Sequence, residues 1–257
     1  MNIGEIQGKE SLFNMRKFEI ETKPYGEERI YSRKSVEIKP GVIVLVGCNG
    51  AGKTTLMKAI KSNLKRNKIP YIEFDNLHDG GSKSRVYAVS NQDFEFVSAS
   101  MSSSEGENIS LNIIQLFKKL SRFMEYGEVN DKFHGLRQLM KEIARDEDEI
   151  IPEEKEPVKE RWILLDAIDS GYSIDNILDF KEYFLKPVLE HTYGNEVYVV
   201  ISANSFEMVN GEQCLDVYNG KYVTFQNYEE YRKFILQTRE RKDKRIERSN
   251  NESKRTD

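Results

Sequence analysis

Val42-Ile43-Val44-Leu45-Val46-Gly47-Cys48-Asn49-Gly50-Ala51-Gly52-Lys53-Thr54-Thr55 is an apolar run that breaks into a glycine-rich loop closed by a lysine and two threonines. The run Val42 to Val46 has the composition of a strand buried on both faces. Gly47, Gly50 and Gly52 let the backbone turn tightly, so that its N–H groups converge on phosphate oxygens. Lys53 adds a positive charge and Thr54 offers a hydroxyl to magnesium. Leu56, Met57, Ile60 and Leu64 mark one face of a helix whose positive dipole end points at the same anion. Strand, spacing and helix together make the Walker A pattern. Gly47, Cys48, Asn49, Gly50, Ala51, Gly52, Lys53, Thr54 and Thr55 are therefore the expected phosphate cradle.

The chain has 257 residues, 38% hydrophobic and 32% charged, enough for a single α/β domain with an insertion. No stretch approaches the roughly 18 to 20 apolar residues of a membrane span, and residues 1–16 lack the apolar centre of a signal peptide. A soluble, cytoplasmic protein with no membrane partner is expected. Cys48 and Cys214 lie far apart and read as free thiols, since a disulfide at Cys48 would distort the loop. Neither they nor His78, His134 and His191 stand at metal-ligand spacing. A net charge of −4 does not mark the whole surface as a nucleic-acid binder.

Around this loop the pattern alternates between strand and helix. Segments 16–22 and 29–38, about a Pro24-Tyr25-Gly26 turn, predict antiparallel strands. Pro70 to Phe74 predicts a strand, 75–84 a loop, 85–89 a further strand and 93–97 another. A serine-rich turn at 98–104 then opens a helix from about Asn108, with a second over 133–144. Residues 146–160 form an acidic surface loop. Trp162 to Asp166 and Glu196 to Ile201 predict buried strands joined through a helix from Ser173 to about Leu189, the pattern of right-handed parallel crossovers. Residues 216–225 predict a hairpin turning at Asn219-Gly220. From Tyr228 the chain is helical and then charged, with acidic residues among the basic ones, so a solvated helix and tail is expected there.

Asp166 closes the second buried strand. A carboxylate at the carboxyl end of a strand adjacent to the glycine-rich loop is the Walker B arrangement, placed to hold magnesium through water. After it come Ala167-Ile168-Asp169-Ser170-Gly171-Tyr172-Ser173-Ile174-Asp175, and upstream stands Ser104-Glu105-Gly106-Glu107. In this order with the Walker A loop, these resemble the D-loop passage and signature motif of ABC-type ATPases. The Ser-x-Gly-Glu form is similar to that of the RecF-like and chromosome-maintenance heads.

The resemblance implies a P-loop NTPase head of α/β class with a mostly parallel central sheet, an N-terminal antiparallel β subdomain and a small helical lobe. The head would cover 1–230, with its helical insertion at about 100–160, followed by a charged helix and tail over 231–257. The insertion is too short for a coiled-coil arm, so a compact phage or defence-type ATPase is closer. The resemblance also implies a homodimer with ATP at its interface. Ser104, Gly106 and Glu107 of one copy would approach the nucleotide held by the other, and Asp175 would join the two sites. Thr54, Gln92 and Asp166 would hold Mg2+, and Asn204 stands where the family has its switch histidine.

Ala167 occupies the place of the glutamate that polarises the attacking water. Either the chain binds ATP without fast turnover, or a glutamate has been replaced to trap the ATP-bound state; the intact remainder of the site favours the second. Hydrolysis is expected to be impaired, while Lys53, Thr54 and Asp166 still bind. DNA, a nuclease or another effector protein are the partners such a switch would serve. Two other functions fit parts of the pattern: a transporter's nucleotide-binding subunit, and a small P-loop kinase with Asp75 as base.

Overall fold

A computed structural model describes residues 15–26, 29–75, 88–89, 92–102, 111, 116–117, 119–120, 123–127 and 158–253. Strands β1 (Arg16–Glu19) and β2 (Ser35–Ile38) form a small antiparallel sheet. The main sheet contains β3 (Gly41–Val46), β4 (Tyr71–Asp75), β5 (Glu160–Asp166), β6 (Glu196–Ser202), β7 (Gln213–Asp216) and β8 (Lys221–Val223), in the order β4-β5-β6-β3-β7-β8. Every neighbouring pair is parallel except β7 and β8. These last two form the hairpin expected at Asn219-Gly220, where Gly220 takes the positive φ of 62° that such turns demand. The fold is thus α/β, with a mostly parallel sheet and a separate antiparallel pair.

Side chains alternate along β3 and serve two cores. Val42, Val44 and Val46 join Ile163, Leu165, Val199 and Ile201 on one face. Ile43 and Leu45 join Leu164, Tyr198 and Val200 on the other. Helix α1 (Lys53–Arg66) covers this second face through Leu56, Met57, Ile60 and Leu64, and the β1–β2 layer adds Phe18, Val36 and Ile38. Burial of both sheet faces explains why the strands read as unbroken apolar runs.

The first face is covered by α3 (Ile174–Phe180), a π-helical turn at Lys181–Leu185 and α4 (Lys186–Glu190). Pro187 lies at the start of α4. It has no N–H for the carbonyl of Tyr183 and its ring would crowd that carbonyl, and the wider π turn takes up the mismatch. Further along the chain lie a short α5 (Phe206–Val209) and the long α6 (Tyr228–Ser253).

The structure corrects three expectations. Helix α2 (Phe94–Ser102) occupies the place of the strand expected at 93–97 and of most of the serine-rich turn expected at 98–104. Ala88 and Val89, expected in a strand, are helical. The alternation of Phe94, Phe96 and the small residues after it suits a strand, but Asp93 Oδ1 accepts from the Phe96 N–H at 3.1 Å, an N-terminal cap that starts a helix instead. Thirdly, β5 is not adjacent to β3: β6 lies between them. The helix expected at 108–120 is seen in part, at Leu111, Leu116–Phe117 and Lys119–Leu120. The second helix expected at 133–144 and the acidic loop up to residue 157 lie outside the described residues.

Trp162 is fully buried. It stacks on Tyr198 at 4.0 Å between ring centroids and meets Phe18 edge-on at 5.1 Å, joining β5, β6 and the small sheet. Trp162→Ala is expected to cost about 3–5 kcal/mol, measured by denaturant unfolding followed by far-UV circular dichroism.

Candidate functional site

The glycine-rich loop connects β3 to α1 at the carboxyl edge of the parallel strands, the edge where open α/β sheets place ligand crevices. Gly47, Gly50 and Gly52 all have positive φ. At Gly52, with φ of 102°, a Cβ would come within 2.6 Å of Ile30 Cγ2, so both conformation and space demand glycine. Gly52 also caps α1 without any side-chain hydrogen bond, and the first turn of α1 holds no acidic residue. Its N-terminal N–H groups and dipole are therefore not neutralised by the helix's own side chains. Helix α3 contrasts with it, since Ser173 Oγ accepts from the Asn176 N–H at 3.3 Å and Asp175 lies in its first turn.

Lys53 begins α1 and is buried. Its Nζ donates to Gly47 O at 2.8 Å, to Cys48 O at 3.4 Å and to Asn204 Oδ1 at 2.9 Å. Burial pulls its pKa below the usual lysine value, while the charges of Cys48, Asp169 and Asp166 act in the opposite direction. The intervening β6 delivers Asn204. By separating β3 from β5, it brings the Asn204-Ser205 segment to the edge between the lysine loop and the aspartates of the β5 turn.

Asp169 fastens that segment. Its Oδ2 accepts from the N–H groups of Asn204 at 2.7 Å and Ser205 at 2.6 Å. Asp166 Oδ1, Asp169 Oδ1 and Ser205 Oγ are buried and without a hydrogen-bond partner among the described residues. Buried oxygens of this kind are rare unless something else satisfies them. An orphaned carboxylate oxygen at Asp166 fits a hard divalent cation that is otherwise coordinated by hydroxyl, water and phosphate oxygens, the donor set Mg2+ prefers. Thr54 is exposed in the first turn of α1, so its hydroxyl would be free to join such a donor set.

The other expected residues fall in different places. Asn49 and Gly50 are exposed at the loop tip, while Cys48 and Ala51 are buried. The hydroxyls of Thr55 and the exposed Tyr25 are hydrogen bonded at 3.0 Å. Gln92 is exposed at positive φ before α2, and no described hydrogen bond links it to Lys53 or Asp166. Ala167 follows Asp166 at a φ of 51°, a left-handed conformation that costs a residue with a Cβ roughly 1–2 kcal/mol. Asp175 is exposed on α3. Asp75 pairs in register with Asp166 at the end of β4. Ser104, Gly106 and Glu107 lie outside the described residues.

Several residues were given no role by sequence reasoning. Asp169 was visible within the stretch after Asp166, yet only the β6 turn shows what it holds. Tyr31 Oη donates to Gly52 O at 2.8 Å, and burial raises its pKa. Helix α6 also reaches the loop: Lys242 Nζ donates to Asn49 O at 3.0 Å, and Thr238 Oγ1 accepts from the Cys48 N–H at 3.0 Å. The expectation of a solvated C-terminal helix therefore fails on one face, where Tyr231 and Thr238 are buried. No sequence signal marks these partners, because they lie nearly two hundred residues from the loop, 190 in the case of Cys48 and Thr238.

No protein-family model matches the chain, and no curated protein matches it in sequence. Among the described residues, no helix is long and apolar enough to cross a membrane.

Asp169→Ala removes two charge-assisted hydrogen bonds from the β6 turn. It is expected to cost about 1.5–3 kcal/mol in denaturant unfolding and to speed amide hydrogen exchange at Asn204 and Ser205.

Proposed function

We propose that this chain is an ATP-binding switch of the ABC-type ATPase kind, which closes as a homodimer around ATP and Mg2+ and opens when the nucleotide is lost. The observation that carries this reading is the buried Lys53 ammonium at the glycine-rich loop, faced by Asn204 and acted on by Asp166 and Asp169, each with a buried oxygen that has no partner among the described residues. A triphosphate offers oxygens that replace the loop carbonyls and the Asn204 amide as partners of the ammonium. The open N-terminus of α1 receives the same anion.

Thr54 and Asp166 would hold Mg2+, which supplies charge neutralisation on the β- and γ-phosphates. The dimer, with Ser104, Gly106, Glu107 and Asp175 of a second copy at the nucleotide, rests on the sequence resemblance. DNA or an effector protein such as a nuclease would read the closed form.

Hydrolysis requires water to attack the γ-phosphorus while a group accepts its proton, and the bond to ADP then breaks. Ala167 has no such group, and the Asn204 amide is a poor proton acceptor at neutral pH. Loss of a positioned base costs about 10²- to 10⁴-fold. The chain would therefore bind ATP firmly and turn it over slowly. A glutamate at position 167 meets the same left-handed backbone cost that the alanine already bears there.

Size-exclusion chromatography with light scattering is expected to show a monomer alone and a dimer with ATP and Mg2+. With Ala167→Glu, the dimer is expected to form and then decay as phosphate is released. A monomer under every condition would refute the switch. The register of Asp75 beside Asp166 keeps the kinase reading alive, and phosphate transferred to a small acceptor rather than to water would favour it.

Nucleotide binding should depend on pH through Lys53. Phosphate needs the ammonium form, and burial lowers the pKa of the free protein's Lys53 below its ordinary 10.5. Affinity is expected to fall as pH rises through that lowered value, at a lower pH than for an exposed lysine. Lys53→Arg is expected to bind more weakly at neutral pH but to lose this alkaline decline, as followed by titration with a fluorescent ATP analogue.

A further inference from the structure

Tyr231, Thr238 and Arg245 recur every seven residues along α6, with Arg241 and Lys242 between the last two, so that one stripe of the helix faces the site. Tyr231 Oη donates to Asn204 O at 2.7 Å, and Arg241 pairs with Asp216 at 3.4 Å. Arg245 Nη1 donates to Ile30 O at 3.4 Å. The stripe thereby touches the β6 turn, the glycine-rich loop, the end of β7 and the segment beneath Gly52.

The Gly47–Cys48 peptide is held at both of its polar groups. Its carbonyl accepts from Lys53 Nζ at 2.8 Å, and its N–H donates to Thr238 Oγ1 at 3.0 Å. In a trans peptide these groups point in opposite directions, so the plane is clamped between ammonium and hydroxyl. Thr238 gives its own proton to Ile235 O at 2.8 Å, which leaves its lone pairs for the Cys48 N–H. On the other side of the ammonium, Asn204 supplies Oδ1 to Lys53 while its main-chain oxygen is held by Tyr231. Two acceptors of the buried charge are thus fastened from behind to one helix, about two turns apart.

We propose that Tyr231 and Thr238 are positioning residues of the phosphate site: α6 sets the place of the Lys53 ammonium by holding the Gly47–Cys48 peptide and the Asn204 segment on either side of it. The consequence for nucleotide affinity rests on the ATP-binding reading, whereas the consequence for Lys53 itself does not. Thr238→Val keeps the shape of the side chain and removes the acceptor. The peptide then rotates more freely, its carbonyl holds Lys53 less firmly, and the loop loses order that phosphate binding would otherwise find ready-made. Cys48, Asp166 and Asp169, the other groups that act on the ammonium's charge, stay in place.

The test compares wild type, Thr238→Val, Thr238→Ser and Tyr231→Phe. The acetylation profile of Lys53, its time course with acetic anhydride at one pH without nucleotide, is followed by peptide mass spectrometry, and affinity for a fluorescent ATP analogue is measured separately. In Thr238→Val, Lys53 is expected to react faster, and affinity to fall about 5- to 10-fold, the worth of one hydrogen bond. Thr238→Ser restores both, which a merely structural loss of the threonine methyl would not.

Tyr231→Phe shifts the same acetylation profile from the other side, and carries the test if circular dichroism shows Thr238→Val unfolded. Folded variants whose Lys53 profile and affinity match wild type overturn the proposal. If wild type binds no nucleotide but Thr238→Val still shifts the Lys53 profile, the positioning at Lys53 stands and the ATP-binding reading falls.

Discussion

The arrangement depends on keeping one positive charge buried. An ammonium removed from water is costly unless it is surrounded by acceptors and opposite charge, and Lys53 meets that demand with Gly47 O, Cys48 O and Asn204 Oδ1. Each acceptor must be held in turn. The loop carbonyls are oriented by glycines at positive φ, and Asn204 by Asp169, whose carboxylate grips the N–H groups of the β6 turn. The site is therefore a closed set of constraints around a cation, and an incoming anion would exchange protein acceptors for phosphate oxygens rather than meet a charge already in water.

The sheet order gives this set its geometry. Insertion of β6 between β3 and β5 puts a polar turn between lysine loop and carboxylates, and pairing along β6 ties both sides of the site to one strand. Trp162 and Tyr198, stacked across β5 and β6, make that spacing rigid from the core side. At the open edge, α6 holds the outer wall. The three buried oxygens without partners among the described residues, on Asp166, Asp169 and Ser205, are concentrated at this one edge, where a ligand would satisfy them.

The parts of the sequence that misled share a cause. Residues 93–97 alternate in hydrophobicity like a strand, yet the Asp93 cap starts a helix there, because alternation over so short a span does not decide between the two. The charged segment after Tyr228 looked solvated because its acidic and basic residues alternate. One stripe carries Tyr231 and Thr238 inward, with Phe234 and Ile235 packed against the cores between them.

The local patterns of the chain determined the apolar strands, the glycine-rich turn with its lysine, the face of α1 that is buried, the Ser173 cap and the Asn219-Gly220 hairpin. Each of these follows from interactions among residues a few positions apart. Tertiary structure alone decided that β6 separates β3 from β5, that Asp169 holds Asn204, and that Thr238 and Lys242 grip the loop around Cys48 and Asn49. Those contacts join residues 35 apart in the case of Asp169 and Asn204, and 190 or more in the case of α6 and the loop. A hydroxyl or carboxylate carries no mark of a distant partner until the packing of the two cores has chosen which edges of the sheet meet.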